Sequence, residues 1–177
     1  MSNILALLVF LTAQASGQAG DKFTHFAGYD LGKATLSEVQ TRYGKSRVRE
    51  RGDAGEYEAW ICYATPSGEI QFNSGEMGGG TDLLGFTISA TPTANDCPKP
   101  KTALPKEISG LKLGISKNRF AALANSPIEW VKNTGTARYD YQTKAAGGVS
   151  LDVSISVIAT FRSGRLTKLA VWKIEST

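Results

Sequence analysis

The chain is poor in the residues on which most catalytic and metal centres depend. His25 is the one histidine among 177 residues, which excludes a multi-histidine metal site and leaves a single candidate base for any nucleophilic dyad. With no paired motif nearby, it reads as a surface or packing residue. There are two cysteines, Cys62 and Cys97, at a spacing that fits neither a C-x-x-C redox pair nor a zinc ligand set. No G-x-S-x-G nucleophile elbow and no G-x-x-x-x-G-K-[ST] phosphate loop occurs. The glycines of "GEMGGG" fall between two expected strands rather than ahead of a helix, so they read as a mobile hairpin loop. No cofactor is implied.

Long apolar runs are also scarce. Ile4 to Leu11 is uncharged and is followed by Ala13, Gln14 and Ala15, which matches the short apolar region and A-x-A cleavage site of a secretory signal over residues 1–15. That run is too short to span a bilayer, and no later segment is long enough either. No cysteine follows the run closely, so a bacterial lipid anchor is not supported. The expected destination is the periplasm or the exterior. There Cys62 and Cys97 are expected to pair as a structural disulfide, worth roughly 3 to 4 kcal/mol on the chain-entropy estimate.

Charge is unevenly spread. Residues 16–100 hold 8 Lys or Arg against 11 Asp or Glu, a net −3, whereas residues 101–177 hold 12 against 5, a net +7. A bipolar chain of this kind is steered by its second half toward an acidic partner surface, an effect that salt weakens. Nucleic acid is a poor partner, because the basic residues are scattered and no binding signature is present.

What the chain does contain is a repeated pattern. In "KATLSEVQTRYGKS" Thr35 can cap a helix while Glu38 reaches back to the cap's own N–H, the arrangement of a capping box. In "LGISKNRFAALANSP" Ser116 supplies the cap, and Ile115 and Phe120 are spaced as a hydrophobic staple. Gly44 and Asn125 then close the helices, with Pro127 blocking continuation of the second. The expected buried faces are Leu36, Val39 and Tyr43 in one helix and Phe120, Leu123 and Ala124 in the other.

After each helix come four β-prone segments separated by turn residues such as "GDAG", "TPSG", "TGT" and "RSG". Thr35 precedes Ser116 by 81 positions and Glu56 precedes Arg138 by 82. The expected fold is α+β: two tandem repeats, residues 16–100 and 101–177, each a short helix on a four-stranded antiparallel sheet, joined into one broad eight-stranded sheet. The Pro- and Lys-rich "TPTANDCPKPKTALPKE" reads as the connector. Joining the sheets edge to edge enlarges a core that neither unit could bury alone.

Alternation assigns the faces. In "EYEAWICY" Tyr57, Ala59, Ile61 and Tyr63 fall on one side and Glu56, Glu58, Trp60 and Cys62 on the other, which the charges mark as outward. Glu56 and Glu58 share a face, but Arg49 or Arg51 on the preceding strand is the expected neighbour, giving an ion-pair surface rather than an acid and base pair. The same register turns Arg138, Asp140, Gln142, Asp152, Ser154, Lys168 and Trp172 outward. Trp60 and Trp172 among polar groups fit a protein-binding face. The alternative is that "SGEMGGG" or the connector covers one of them.

"GISKNRFAALANSP" resembles the G-M-T-x-x-x-V-x-x-x-L-G-x-P opening of the small outer-membrane assembly lipoproteins. Gly114, Ile115, Ser116, Phe120, Asn125 and Pro127 stand at matching places, as do Thr35, Val39, Tyr43 and Gly44 in the first copy. Two such units in tandem, exported and disulfide-bonded, are similar to the β-lactamase-inhibitor protein fold. That resemblance implies binding of an enzyme through the concave face of a continuous sheet, and no individual contact residue carries over. The expected function is an exported, nonenzymatic protein-binding module, an inhibitor or immunity-type protein whose partner is an enzyme or toxin with an acidic patch. An envelope assembly scaffold is second, and a hydrolase built on Ser and His25 third.

Overall fold

The computed structural model describes residues 19–53, 55–145 and 147–177. The expected signal segment, residues 1–15, lies outside the described residues. The first strands among the described residues form a ribbon of β1 (His25–Phe26) and β2 (Tyr29–Asp30), followed by α1 (Leu36–Tyr43). Strands β3 (Arg49–Arg51), β4 (Glu58–Thr65), β5 (Gly68–Gly75) and β6 (Gly85–Ser89) follow, with a 3-10 turn at Glu76–Gly78. A second ribbon, β7 (Glu107–Ile108) and β8 (Leu111–Lys112), leads into α2 (Lys117–Ala124). The chain ends with β9 (Ile128–Val131), β10 (Thr134–Lys144), β11 (Ser150–Arg162) and β12 (Arg165–Ser176).

Both helices start as their caps dictate. Thr35 N–H donates to Glu38 Oε2 at 2.7 Å while Glu38 N–H donates to Thr35 Oγ1 at 3.3 Å, so the capping box is complete. Ser116 Oγ accepts from Arg119 N–H at 3.3 Å. Asn125 closes α2 at φ 53°, the left-handed conformation that ends many helices. Leu36, Val39 and Tyr43 are buried in α1, and Phe120 and Ala124 in α2, with Leu123 packed at the margin.

Eight strands form one antiparallel sheet in the order β3-β4-β5-β6-β12-β11-β10-β9. The two sets of four meet where Gly85–Ser89 of β6 pairs with Lys168–Trp172 of β12. Side chains such as Ile61, Tyr63, Phe72, Phe86, Val157, Leu169 and Val171 point to one face and form a single cluster with the helices and ribbons. Alternation with period two turns the other set away from that core. A shift of register between Thr160 and Phe161 opposite Leu166 lets Leu166 re-enter the core despite its parity with Lys168.

Several local expectations are corrected. Neither ribbon was expected, because two-residue strands carry no periodicity; each reverses through two residues of positive φ, Ala27 and Gly28 in one, Ser109 and Gly110 in the other. "TGT" is not a turn. The reversal falls at Lys132 and Asn133, and Gly135 lies within β10 opposite Trp130, where an added Cβ would stand 2.8 Å from the indole. Glycine there makes room for an aromatic ring rather than for a bend. "SGEMGGG" carries a 3-10 turn and hydrogen bonds of its own: Glu76 Oε2 accepts from Gly55 N–H at 2.6 Å, and Gly80 N–H donates to Gly75 O at 3.2 Å. A similar tyrosine contact occurs under each helix. Tyr63 donates to the carbonyl of Gly44 at the end of α1, and Tyr139 to that of Ala124 at the end of α2. These two tyrosines lie 76 positions apart, and six residues separate β3 from β4 where two separate β9 from β10.

Candidate functional site

The face of the sheet turned away from the helices is laid out in cross-strand rows. One row runs Arg49, Trp60, Asn73, Gly85, Trp172, Ser156, Arg138 across seven strands. Trp60 and Trp172 are thus three strands apart, about 14 Å at ordinary strand spacing. Between them Asn73 Nδ2 donates to Thr87 Oγ1 at 3.1 Å, and Gly85 leaves space for the Trp172 ring. Both tryptophans are half-buried, and they line a shared hollow of about 520 Å³ with Arg49, Arg51, Glu58 and Lys168.

Charges around the hollow are unequally engaged. Arg51 pairs directly across the ladder with Glu58, donating through Nε at 2.8 Å and Nη2 at 2.5 Å, and its guanidinium sits 5.6 Å from the Trp60 ring. That is the ion-pair surface expected of Glu58. Arg49 donates to Asp96 and lies 3.2 Å from Cys62 Sγ, with its side chain only 14% exposed. The Arg49 guanidinium in turn holds the Asp96 carboxyl below its usual range. Lys168 has no ion-pair partner among the described residues. The Trp60 indole N–H is enclosed without a hydrogen-bond partner among the described residues.

One wall of the hollow comes from the connector, which folds onto the open face instead of hanging clear of it. The Cys62–Cys97 disulfide fixes it to β4. Beside that bond, Glu69 on β5 is 1% exposed and gathers the strap: its carboxyl oxygens accept from Thr93 N–H at 3.0 Å, Thr93 Oγ1 at 2.8 Å, Ala94 N–H at 3.3 Å and Gln71 Nε2 at 2.5 Å. A buried carboxyl needs such donors, and the backbone of Thr93 and Ala94 supplies them. Thr93 and Ala94 then line the hollow.

The structure therefore puts all ten expected residues on the open face but divides them. Arg49, Glu58, Trp60, Lys168 and Trp172 meet in the hollow, whereas Asp140, Gln142, Asp152 and Ser154 line another hollow of about 340 Å³ bounded by β10, β11 and the end of β12, where Gln142 donates to Asp152 at 2.8 Å. Arg138 ends the tryptophan row and lines neither. Gln71, Asn73, Thr93 and Ala94 escaped the sequence reading. Alternation along "EIQFN" would have found the first two; the latter pair depends on a tertiary tether that no local pattern carries. His25 lies in the first ribbon on the helix side, 64% exposed in its side chain, with Nδ1 2.7 Å from Asp30 Oδ1.

The protein is thus a mixed α and β fold dominated by one antiparallel sheet whose open face is polar and aromatic. No protein-family model matches the chain, and no curated protein matches it in sequence. Among solved structures it is similar to a candidate beta-lactamase inhibitor protein from Streptococcus mutans, with 11% identity, 87% of this chain and 89% of that chain covered, and a TM-score of 0.29. None of these comparisons supports the expected relation to the outer-membrane assembly lipoproteins. A likeness at that score leaves function to be argued from the open face itself.

Proposed function

We propose that this chain is an exported, nonenzymatic protein-binding module that blocks an enzyme or toxin by laying the open face of its sheet over the partner's surface. The observation that carries this reading is the row that sets Trp60 and Trp172 into one hollow beside Arg49, Arg51 and Lys168. Aromatic side chains in a partly desolvated depression with a polar surround are the common anchors of protein interfaces. Arg49 is held by Asp96 and Arg51 by Glu58, which leaves Lys168 as the uncompensated cation and favours an acidic group on the partner. The disulfide supports residence in an oxidising compartment, the periplasm or the exterior.

The reading extends to the scaffold: residues 16–100 and 101–177 are two copies of one unit. The shared order of ribbon, helix and four strands supports it, as do the matched Tyr63–Gly44 and Tyr139–Ala124 hydrogen bonds. Duplication makes the face wide enough to cover another macromolecule.

The test is capture of the partner from the native organism on the immobilised protein, identification by mass spectrometry, and assay of the partner's activity. Inhibition should be salt-sensitive. Trp60→Ala and Trp172→Ala should each weaken the complex by about 2 kcal/mol, roughly thirtyfold. Affinity that survives both replacements would show that the open face is not the interface.

A further inference from the structure

The open-face hollow does not end at Trp172. Past the Arg51–Glu58 ion pair the surface opens into a second hollow of about 790 Å³, bordered by Trp172, Ile174, Leu84, Met77 and Arg51. Its chemistry differs from that of the first. Met77 is 63% exposed and Ile174 is 42% exposed, so two large apolar side chains stand in water around one depression. Single exposed apolar residues are ordinary, whereas a group of them around a concavity marks a place for another molecule. Met77 also has the unbranched, adaptable side chain suited to fitting a foreign surface. It is presented by the 3-10 turn that Glu76 ties to Gly55.

The two hollows are continuous, since Arg51, Glu58 and Trp172 border both. Around the first, Arg49 and Arg51 already hold carboxylates of this chain, Asp96 and Glu58, while Lys168 holds none. The uncompensated charge is therefore at the Lys168 end and the exposed apolar surface at the Ile174 end of the same strand. β12 lies in the middle of the sheet, so a partner meets its side chains face-on and cannot add a strand to it.

Resting on the open-face reading above, we infer that both hollows are occupied by one extended segment of the partner protein, with an acidic side chain against Lys168 and a bulky apolar one between Met77 and Ile174. A strand rises about 3.3 Å per residue, so Lys168 to Trp172 spans about 13 Å and Lys168 to Ile174 about 20 Å. A segment lying along β12 matches that span with its acidic and apolar residues four or six positions apart. The spacing is even because side chains on one side of an extended chain recur every second residue.

Linear dodecapeptides displayed on phage, selected against the disulfide-intact protein at physiological salt, test this. The enriched peptides should pair Asp or Glu with Phe, Leu, Ile, Met or Trp at a spacing of four or six. A synthetic peptide of the enriched sequence should bind at least tenfold more weakly to Lys168→Glu and to Met77→Asp, both exposed-surface variants. A version of that peptide lacking its acid should no longer sense Lys168→Glu. Enriched peptides that lose affinity with Trp60→Ala and Trp172→Ala but show no such pairing, or ignore Lys168 and Met77, overturn the two-hollow segment and leave the open-face reading standing. No enrichment also overturns the segment, and peptides indifferent to both tryptophans count against both readings.

Discussion

The Trp172 indole covers Gly85 on the neighbouring strand, so closely that a Cβ added at residue 85 would stand 2.9 Å from the ring and 2.6 Å from the carbonyl oxygen of Val171. The oxygen belongs to the backbone and cannot yield by rotation. Gly85→Ala should therefore push Trp172 off its seat and cost about 1 to 3 kcal/mol, the usual range for overpacking. Urea denaturation measures the loss, and an unchanged midpoint would show that the ring does not rest there.

The Trp60 N–H has the opposite character. It is enclosed and has no acceptor among the described residues, so its removal forfeits no hydrogen bond to them. Trp60→Phe keeps an aromatic face for Arg51 and should change the unfolding free energy by less than about 1.5 kcal/mol. A loss twice that size would mean the indole nitrogen is engaged.

Glu69 is the reverse case again, a buried carboxyl with four donors. Glu69→Gln replaces one acceptor oxygen with an NH₂ and leaves at least one donor unmatched. The expected cost is about 1 to 3 kcal/mol, accompanied by faster amide hydrogen exchange at Thr93 and Ala94. Exchange that stays slow would show that the disulfide alone fixes the strap.

Alkaline pH should loosen the helices from the sheet. Burial pushes the phenols of Tyr63 and Tyr139 up to about 12 from their ordinary 10.0. Because the folded value is raised, the stabilisation is fully present below pH 10 and is lost as pH rises through 12. Absorbance at 295 nm should show tyrosines that ionise late, and the Tyr63→Phe and Tyr139→Phe variants should each remove part of that late phase. Ionisation complete by pH 11 would contradict the burial.

Much of the fold is legible in the sequence because it is written locally. Thr35 and Glu38 sit within one helical turn, so the capping box can be read from four residues. Alternation in β4 and β11 likewise declares which side chains leave the core, since Trp60 and Asp152 are separated from buried neighbours by a single position. What escapes is whatever depends on distant partners. Arg49 finds Asp96 across 47 positions, and Thr93 reaches Glu69 across 24. The connector's fold over the open face follows from those meetings. Met77 reads as part of a glycine-rich loop because nothing near it in sequence reveals that Ile174 will stand beside the same depression.

The five-residue strand β6 is the whole seam between the two sets of four strands. Its neighbours β5 and β12 are longer, so five residue pairs carry the whole backbone ladder between the two sets of four strands. A substitution along Gly85–Ser89 that disturbs those pairs is therefore felt on both sides of the join at once, in the strands that carry Trp60 and in the strand that carries Trp172.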